Sequence, residues 1–271
     1  LFSRKSFGKQ CKTRTLCFID SYNFCMNIDN IFENIDFKIK PNQNYRKEYI
    51  FRIKKIIYKI LNKEKDFIFS NLIIKNKDKF DLILKKELMK IDSMSTYAIG
   101  HVINKICQKL NNDENYVNIG VWKGFSLIAG MLNTNCSVYG NDNFSQFDGP
   151  KEEFTKKFNL LKNEEKHFFY ECDYKNFFIK YEKLNKPINF YYYDGEHSYK
   201  NQFENLIIAK DYFKSGTIIL VDDVNFQEVE AGTKDFINKY PNDYKILKDI
   251  KTANNHCHPS YWNGLFLFQK K

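Results

Sequence analysis

No stretch of the 271-residue chain is apolar for long enough to cross a membrane as a helix, and its start carries no apolar core of a secretory signal. No transmembrane segment is therefore expected in it, and the expected location is the cytoplasm. The seven cysteines follow no regular spacing, which excludes a disulfide-stapled scaffold. Cys11, Cys17 and Cys25 fall in the N-terminal arm, and Cys107, Cys136, Cys172 and Cys257 in or beside apparent core segments. Buried free thiols in a reducing compartment are therefore expected. His256-Cys257-His258 has donors for a soft metal but lacks the ligand separation of zinc sites, and reads as a loop. Clustered charge is missing too. Lys and Arg number 43 against 33 Asp and Glu, a net +10, but the excess is spread along the chain. That distribution suits solubility rather than a nucleic-acid partner. The sequence begins at Leu1 rather than Met and is read as a fragment or a trimmed chain.

What is present is core. Hydrophobic residues make up 43% and aromatics 17%, enough for one large domain or a domain with an appendage. Residues 1–45 alternate polar residues with short apolar patches, and no structure is assigned there. Lys47–Lys63 carries Ile50, Ile53, Ile56, Ile57, Ile60 and Leu61 at helical spacing with Lys and Arg opposite. Such a basic amphipathic helix can lie on a membrane, but packing on its own domain is the expectation. Phe67–Ile74 and Phe80–Met89 are further apolar segments, the second helical. Residues 1–92 thus form a mainly helical extension, either a cap over a site or a partner-binding arm.

From Ser93 onward, apolar runs alternate with amphipathic ones, the pattern of an α/β fold with parallel strands. A helix over Ser93–Leu110 precedes a strand at Tyr116–Val121, a turn holding Gly120 and Gly124, and a helix through Leu132. Glycine lets a ligand approach the backbone, and a helix start offers free N–H groups. Strands follow at Ser137–Asn141, ending in Asp142, and at His167–Glu171, ending in Cys172-Asp173. An acid ending the second strand is placed to grip a ribose. Asp173 is placed either to read an adenine amino group or to cap the helix Tyr174–Leu184.

Ile188–Tyr193 then stops at Asp194, Glu196 and His197, and Thr217–Val221 stops at Asp222 and Asp223. Between them Tyr199–Phe213 is an amphipathic helix, closed by Lys214, Ser215 and Gly216. Such a βαβ unit makes the strands parallel and brings their acidic ends to one sheet edge, where ligands bind. Asp194, Glu196, His197, Asp222 and Asp223 should converge there, and because unpaired carboxylates repel, a hard divalent cation is one reason to gather them. A helix through Tyr240 and strands at Tyr244–Ile250 and Leu265–Gln269 end the chain, joined by the loop Thr252–Asn263. This loop reads equally as a pocket wall or a surface turn.

Four motifs carry a resemblance: Asn118-Ile-Gly-Val-Trp-Lys-Gly-Phe-Ser126, Tyr139-Gly-Asn-Asp142, Asp194-Gly-Glu-His-Ser-Tyr199 and Ile218-Ile-Leu-Val-Asp-Asp223. Over residues 93–271 the chain resembles class I S-adenosylmethionine-dependent methyltransferases. The likeness is strongest to the small-molecule branch that includes macrocin-type sugar O-methyltransferases. It implies a Rossmann-like seven-stranded sheet of order 3-2-1-4-5-7-6, flanked by helices, with the last strand antiparallel. It implies S-adenosylmethionine held by Gly120, Trp122, Gly124, Ser126, Asp142, Asp173 and Asp194. It implies Mg²⁺ on Asp194, Asp222 and Asp223, with His197 or Glu196 as general base. Asn118 stands where the superfamily usually has an acid, and Trp122 where a glycine is common. The expected acceptor is a small molecule or glycan, and a homo-oligomer is compatible with the sequence. Two other classes fit parts of the pattern. A nicotinamide oxidoreductase shares the glycine turn and the ribose acid but needs no acid triad. A binding module would use the basic N-terminal helices alone.

Overall fold

The computed structural model describes residues 28–271. Cys11, Cys17, Cys25 and the apolar patch Leu16–Ile19 lie outside them. The chain opens with α1 (Ile28–Glu33), β1 (Ile35–Phe37), α2 (Tyr49–Ile60), α3 (Glu64–Phe69), β2 (Leu72–Ile74) and α4 (Lys79–Met89). It continues with α5 (Tyr97–Cys107), β3 (Asn115–Ile119), α6 (Phe125–Met131), β4 (Ser137–Asp142), α7 (Lys151–Leu161), β5 (His167–Glu171) and α8 (Tyr174–Glu182). The last elements are β6 (Ile188–Tyr193), α9 (Tyr199–Ala209), β7 (Phe213–Asp222), α10 (Gln227–Lys239), β8 (Tyr244–Ile250) and β9 (Leu265–Lys270).

The main sheet runs β5-β4-β3-β6-β7-β9-β8, which is the expected order 3-2-1-4-5-7-6. Its first five strands are mutually parallel, and β9 is antiparallel to both neighbours. Period-2 alternation splits each buried strand between two cores. Phe190, Tyr192, Ile218 and Leu220 join residues of α5, α6 and α7 on one face. Tyr191, Tyr193, Ile219 and Val221 join α8, α9 and α10 on the other. Side chains at the helix starts accept the free backbone N–H groups: Thr96 for α5, Asp173 for α8 and Ser198 for α9.

Two expectations are corrected and one is refined. Residues 28–37, left without structure above, form α1 and β1. Ile28, Ile31 and Ile35 are buried in the first core, so tertiary packing rather than local periodicity decides them. The helix expected over Tyr199–Phe213 ends at Ala209, and Phe213 already pairs with Ile188 as the first residue of β7. Gly216 therefore lies within that strand's irregular start, where the Thr217 hydroxyl donates to the Ile188 carbonyl, and closes no helix. Lastly, α2 packs on its own domain as expected, but through the half-buried Phe51 and Tyr58 rather than through its isoleucines, and none of its residues is fully buried.

The first core does not stop at residue 92. Leu84 and Leu88 of α4 share it with Ile99, Val102 and Phe125. Gly100 of α5 has no room for a side chain, because an added Cβ would lie 2.5 Å from Leu88 Cδ1. Leu88→Ala should lower the stability of the whole chain by about 2–5 kcal/mol, the usual cost of such a cavity. Urea unfolding followed by tryptophan fluorescence tests this, since both tryptophans lie beyond residue 92. An unshifted midpoint would mean that the extension folds apart from the sheet.

Candidate active site

The C-terminal ends of the parallel strands open into a cavity of about 840 Å³, a size that takes a cofactor and a small acceptor together. All the expected site residues line it except Gly124. Gly124 shapes it from behind: its φ of +93° starts α6, and a Cβ there would press on the Phe154 ring at 2.9 Å.

The glycine turn is held from two sides. Gly120, at φ +82°, donates its N–H to the Asn141 carbonyl. A Cβ on Gly120 would come within 1.9 Å of the Asp194 carbonyl oxygen, so only glycine lets the ends of β3 and β6 meet. Asp142 completes the turn. Its Oδ2 accepts the N–H groups of Val121 at 2.9 Å and Trp122 at 2.8 Å, and its Oδ1 accepts that of Phe144 at 2.7 Å. Two N–H groups of the glycine turn are thus taken by the expected ribose acid. Ser126 is buried and donates to Asn118 Oδ1, and Asn118 in turn donates to the Gly120 carbonyl. Both therefore brace the turn. Asp173 is exposed at the rim and caps α8 through the N–H groups of Asn176 and Lys175. Those bonds hold its carboxyl below the ordinary range.

The acidic edge differs from the expected ligand set. Asp194 and Asp223 converge on His197, with ligand atoms of all three within 4.8 Å of one another. His197 Nε2 lies 3.0 Å from Asp223 Oδ2 and 3.9 Å from Asp194 Oδ1. Asp222 is not in this group. Its Oδ2 accepts the Tyr192 hydroxyl, and its Oδ1 accepts the Asp223 N–H at 2.9 Å. Strand parity explains the difference: Asp222 continues the Leu220 face, the face of Tyr192, whereas Asp223 lies beyond the strand at φ +60°. Glu196 is exposed at the rim, where its carbonyl accepts the Tyr193 hydroxyl.

Electrostatics follow from the packing. Burial alone would lower the His197 pKa, but the bonds and charges of Asp194 and Asp223 outweigh it and lift it to about 10. Burial raises Asp194 to about 6 even though His197 opposes the shift. Asp222 is raised well above the ordinary range by burial and then by the charges of Asp223 and Asp194. At neutral pH the imidazole is therefore a cation clamped between carboxylates.

Sequence reasoning left the loop 252–263 undecided and missed Phe226, Ser93 and Ser95. Asn263 donates to Asp223 Oδ1 at 2.7 Å and so fixes that carboxylate. Phe226 stacks on His197 with ring centroids 5.2 Å apart. The loop 252–263 is a pocket wall, contributing His256, Cys257, Trp262 and Asn263. His258 turns away instead, with Nε2 at 3.0 Å from the Gln43 carbonyl and Nδ1 beside Ser260. Cys257 and Cys172 are half-buried rather than buried, and Cys107 and Cys136 are buried free thiols. In the opposite wall, the hydroxyls of Ser93 and Ser95 and the indole Nε1 of Trp122 are buried without a hydrogen-bond partner. The signal for the serines was a Ser-Met-Ser run just before the Thr96 cap, legible only once the sheet edge is known.

A seven-stranded sheet of this order, with a glycine turn after its first strand and a cavity at the strand ends, defines a class I methyltransferase fold. Residues 117–224 match the family profile described as a methyltransferase domain. Over those residues the chain is thus similar to methyltransferase domains. No curated protein matches it. Solved structures share the fold. An O-methyltransferase from Bacillus cereus in complex with SAH is 12% identical, with 72% of this chain and 92% of that one covered and a TM-score of 0.53. A putative O-methyltransferase from Klebsiella pneumoniae is 13% identical over 81% and 96%, also at 0.53. The O-methyltransferase TomG from Streptomyces achromogenes, in complex with SAM, is 10% identical over 72% and 91%, at 0.52.

The raised His197 pKa has a measurable consequence. A pKa raised on folding stabilises fully below the unfolded value near 6.5 and ceases to do so as pH rises through about 10. The Tm difference between wild type and His197→Gln should be largest near pH 6.5 and shrink toward pH 10. A difference constant across that window would show that the ion pair is not formed.

Proposed function

We propose that this chain transfers the methyl group of S-adenosylmethionine to a hydroxyl oxygen of a sugar or another small molecule, with help from Mg²⁺. The observation that carries the reading is the convergence of Asp194, His197 and Asp223 in the same cavity as the glycine turn.

The donor fits the polar inventory of the wall. Ser93, Ser95 and Trp122 offer three orphaned donors, and a carboxylate such as that of the methionine moiety is an acceptor in need of them. Gly120 gives the backbone clearance, and Asp142, already bonded to the turn, keeps lone pairs for ribose hydroxyls. Asp173 stands at the rim for the adenine edge. S-adenosylmethionine brings an activated methyl group, so the protein has only to align an acceptor oxygen and take its proton.

Asp194 and Asp223 are the carboxylates free to hold a cation, because Asp222 is committed to Tyr192. Two carboxylates with water is a usual Mg²⁺ set, whereas an imidazole donor suits softer metals. A bound dication would lower the pKa of an acceptor hydroxyl. It would also neutralise the charges that keep His197 protonated, leaving the ring able to accept a proton at Nε2. Glu196, exposed and at the rim, is the weaker candidate base. Phe226 and the 252–263 loop supply an apolar and aromatic wall for the acceptor.

Two measurements test this reading. Ser93→Ala combined with Ser95→Ala should weaken S-adenosylhomocysteine binding about tenfold or more without lowering Tm, because the lost hydroxyls had no partner in the free protein. Unchanged affinity would remove both serines from the donor site. Titration calorimetry should give Mg²⁺ heats for wild type and none for Asp223→Asn. Equal heats, or none from either protein, would sink the metal site.

A further inference from the structure

The helix α2 is turned the wrong way for a soluble surface. At about 100° per residue, Tyr49, Ile50, Ile53, Ile56, Ile57 and Ile60 occupy one arc of roughly 120°. All are exposed, Ile50 by 63%, Ile56 by 56%, Ile57 by 48% and Ile60 by 73%. The helix is anchored by its opposite side, where Phe51 and Tyr58 pack against Ile39, Tyr45 and Phe67. That anchoring fixes the isoleucines outward. Single exposed apolar residues need no explanation, but a continuous isoleucine face does.

Charge selects the occupant. Lys54 borders one edge of the apolar arc, and Arg52, Lys59 and Lys63 lie beyond the other. Glu48, the sole acid between residues 47 and 63, accepts a hydrogen bond from Gln43. A second copy of this face would bring cationic flanks against cationic flanks on a chain of net charge +10. Nucleic acid would leave the isoleucines in water. An anionic bilayer meets both needs: the arc sinks into the acyl boundary while the lysines reach outward to headgroups.

We propose that α2 docks this protein on the surface of an anionic lipid bilayer. The dock is linked by hydrogen bonds to a wall of the candidate active site. Arg46, just before the helix, donates to the carbonyls of Asn255 and His256, and the Tyr45 hydroxyl donates to that of Cys257. The loop that walls the cavity is thus bonded to the base of the membrane-facing helix. This inference does not depend on the methyl-transfer reading.

Flotation of the full chain with vesicles provides the test, using equal phosphatidylcholine and phosphatidylglycerol or phosphatidylcholine alone. Wild type should float with the anionic vesicles and less with the neutral ones, and binding should weaken as salt is raised. Ile57→Asp combined with Ile60→Asp should cut partitioning about tenfold or more. Its circular dichroism and Tm should stay unchanged, because both sites are exposed. No flotation of wild type, or equal flotation of the double variant, overturns the proposal. So does flotation that survives the double variant but is lost on removing residues 1–27. A wild-type dimer by light scattering that the double variant dissociates, without vesicle binding, assigns the face to a second copy instead.

Discussion

At Gly120 the carbonyl oxygen of Asp194 occupies the space where a Cβ would stand. Two halves of the cleft meet at that contact. On the proposed reading the turn after β3 would face the donor and the acidic end of β6 the acceptor. A side chain at Gly120 would push them apart and, on that reading, lengthen the path of the methyl group. Asp142 reinforces the same junction by binding the turn's N–H groups. Near-attack geometry loses rate steeply with displacement of the order of 1 Å, so this junction ties the packing of the sheet to the chemistry.

A second constraint is electrostatic. Asp194, half-buried, and Asp223, buried, cannot sit together as bare anions. In the free protein His197 supplies the compensating positive charge, Asn263 holds Asp223 from the other side, and Phe226 covers the imidazole. Substitution of that cation by a divalent ion would release the imidazole for proton transfer. One cluster would then serve stability when empty and catalysis when loaded.

Much of the fold was legible because strand and helix periods are local. The glycine turn and the acidic strand ends came from runs of a few residues, and the sheet order from the family resemblance that those runs carry. What escaped was set at long range. Residues 28–37 owe their structure to burial against α5 and the sheet. The wall 252–263 is held by hydrogen bonds to residues 41–46, more than two hundred positions away. Asp222 and Asp223 look equivalent in sequence, yet strand parity and one left-handed residue send them to different partners. The isoleucine stripe of α2 was plain from its spacing. Its outward direction was not, because Phe51 and Tyr58, not the isoleucines, meet the body of the protein.

The central claim is that the cavity is built for S-adenosylmethionine, and equilibrium binding of S-adenosylhomocysteine and of NAD⁺ to the wild-type chain tests it most directly. Saturable binding of S-adenosylhomocysteine at one site per chain, with no binding of NAD⁺, is the expected result. Binding of NAD⁺ with none of S-adenosylhomocysteine would contradict it.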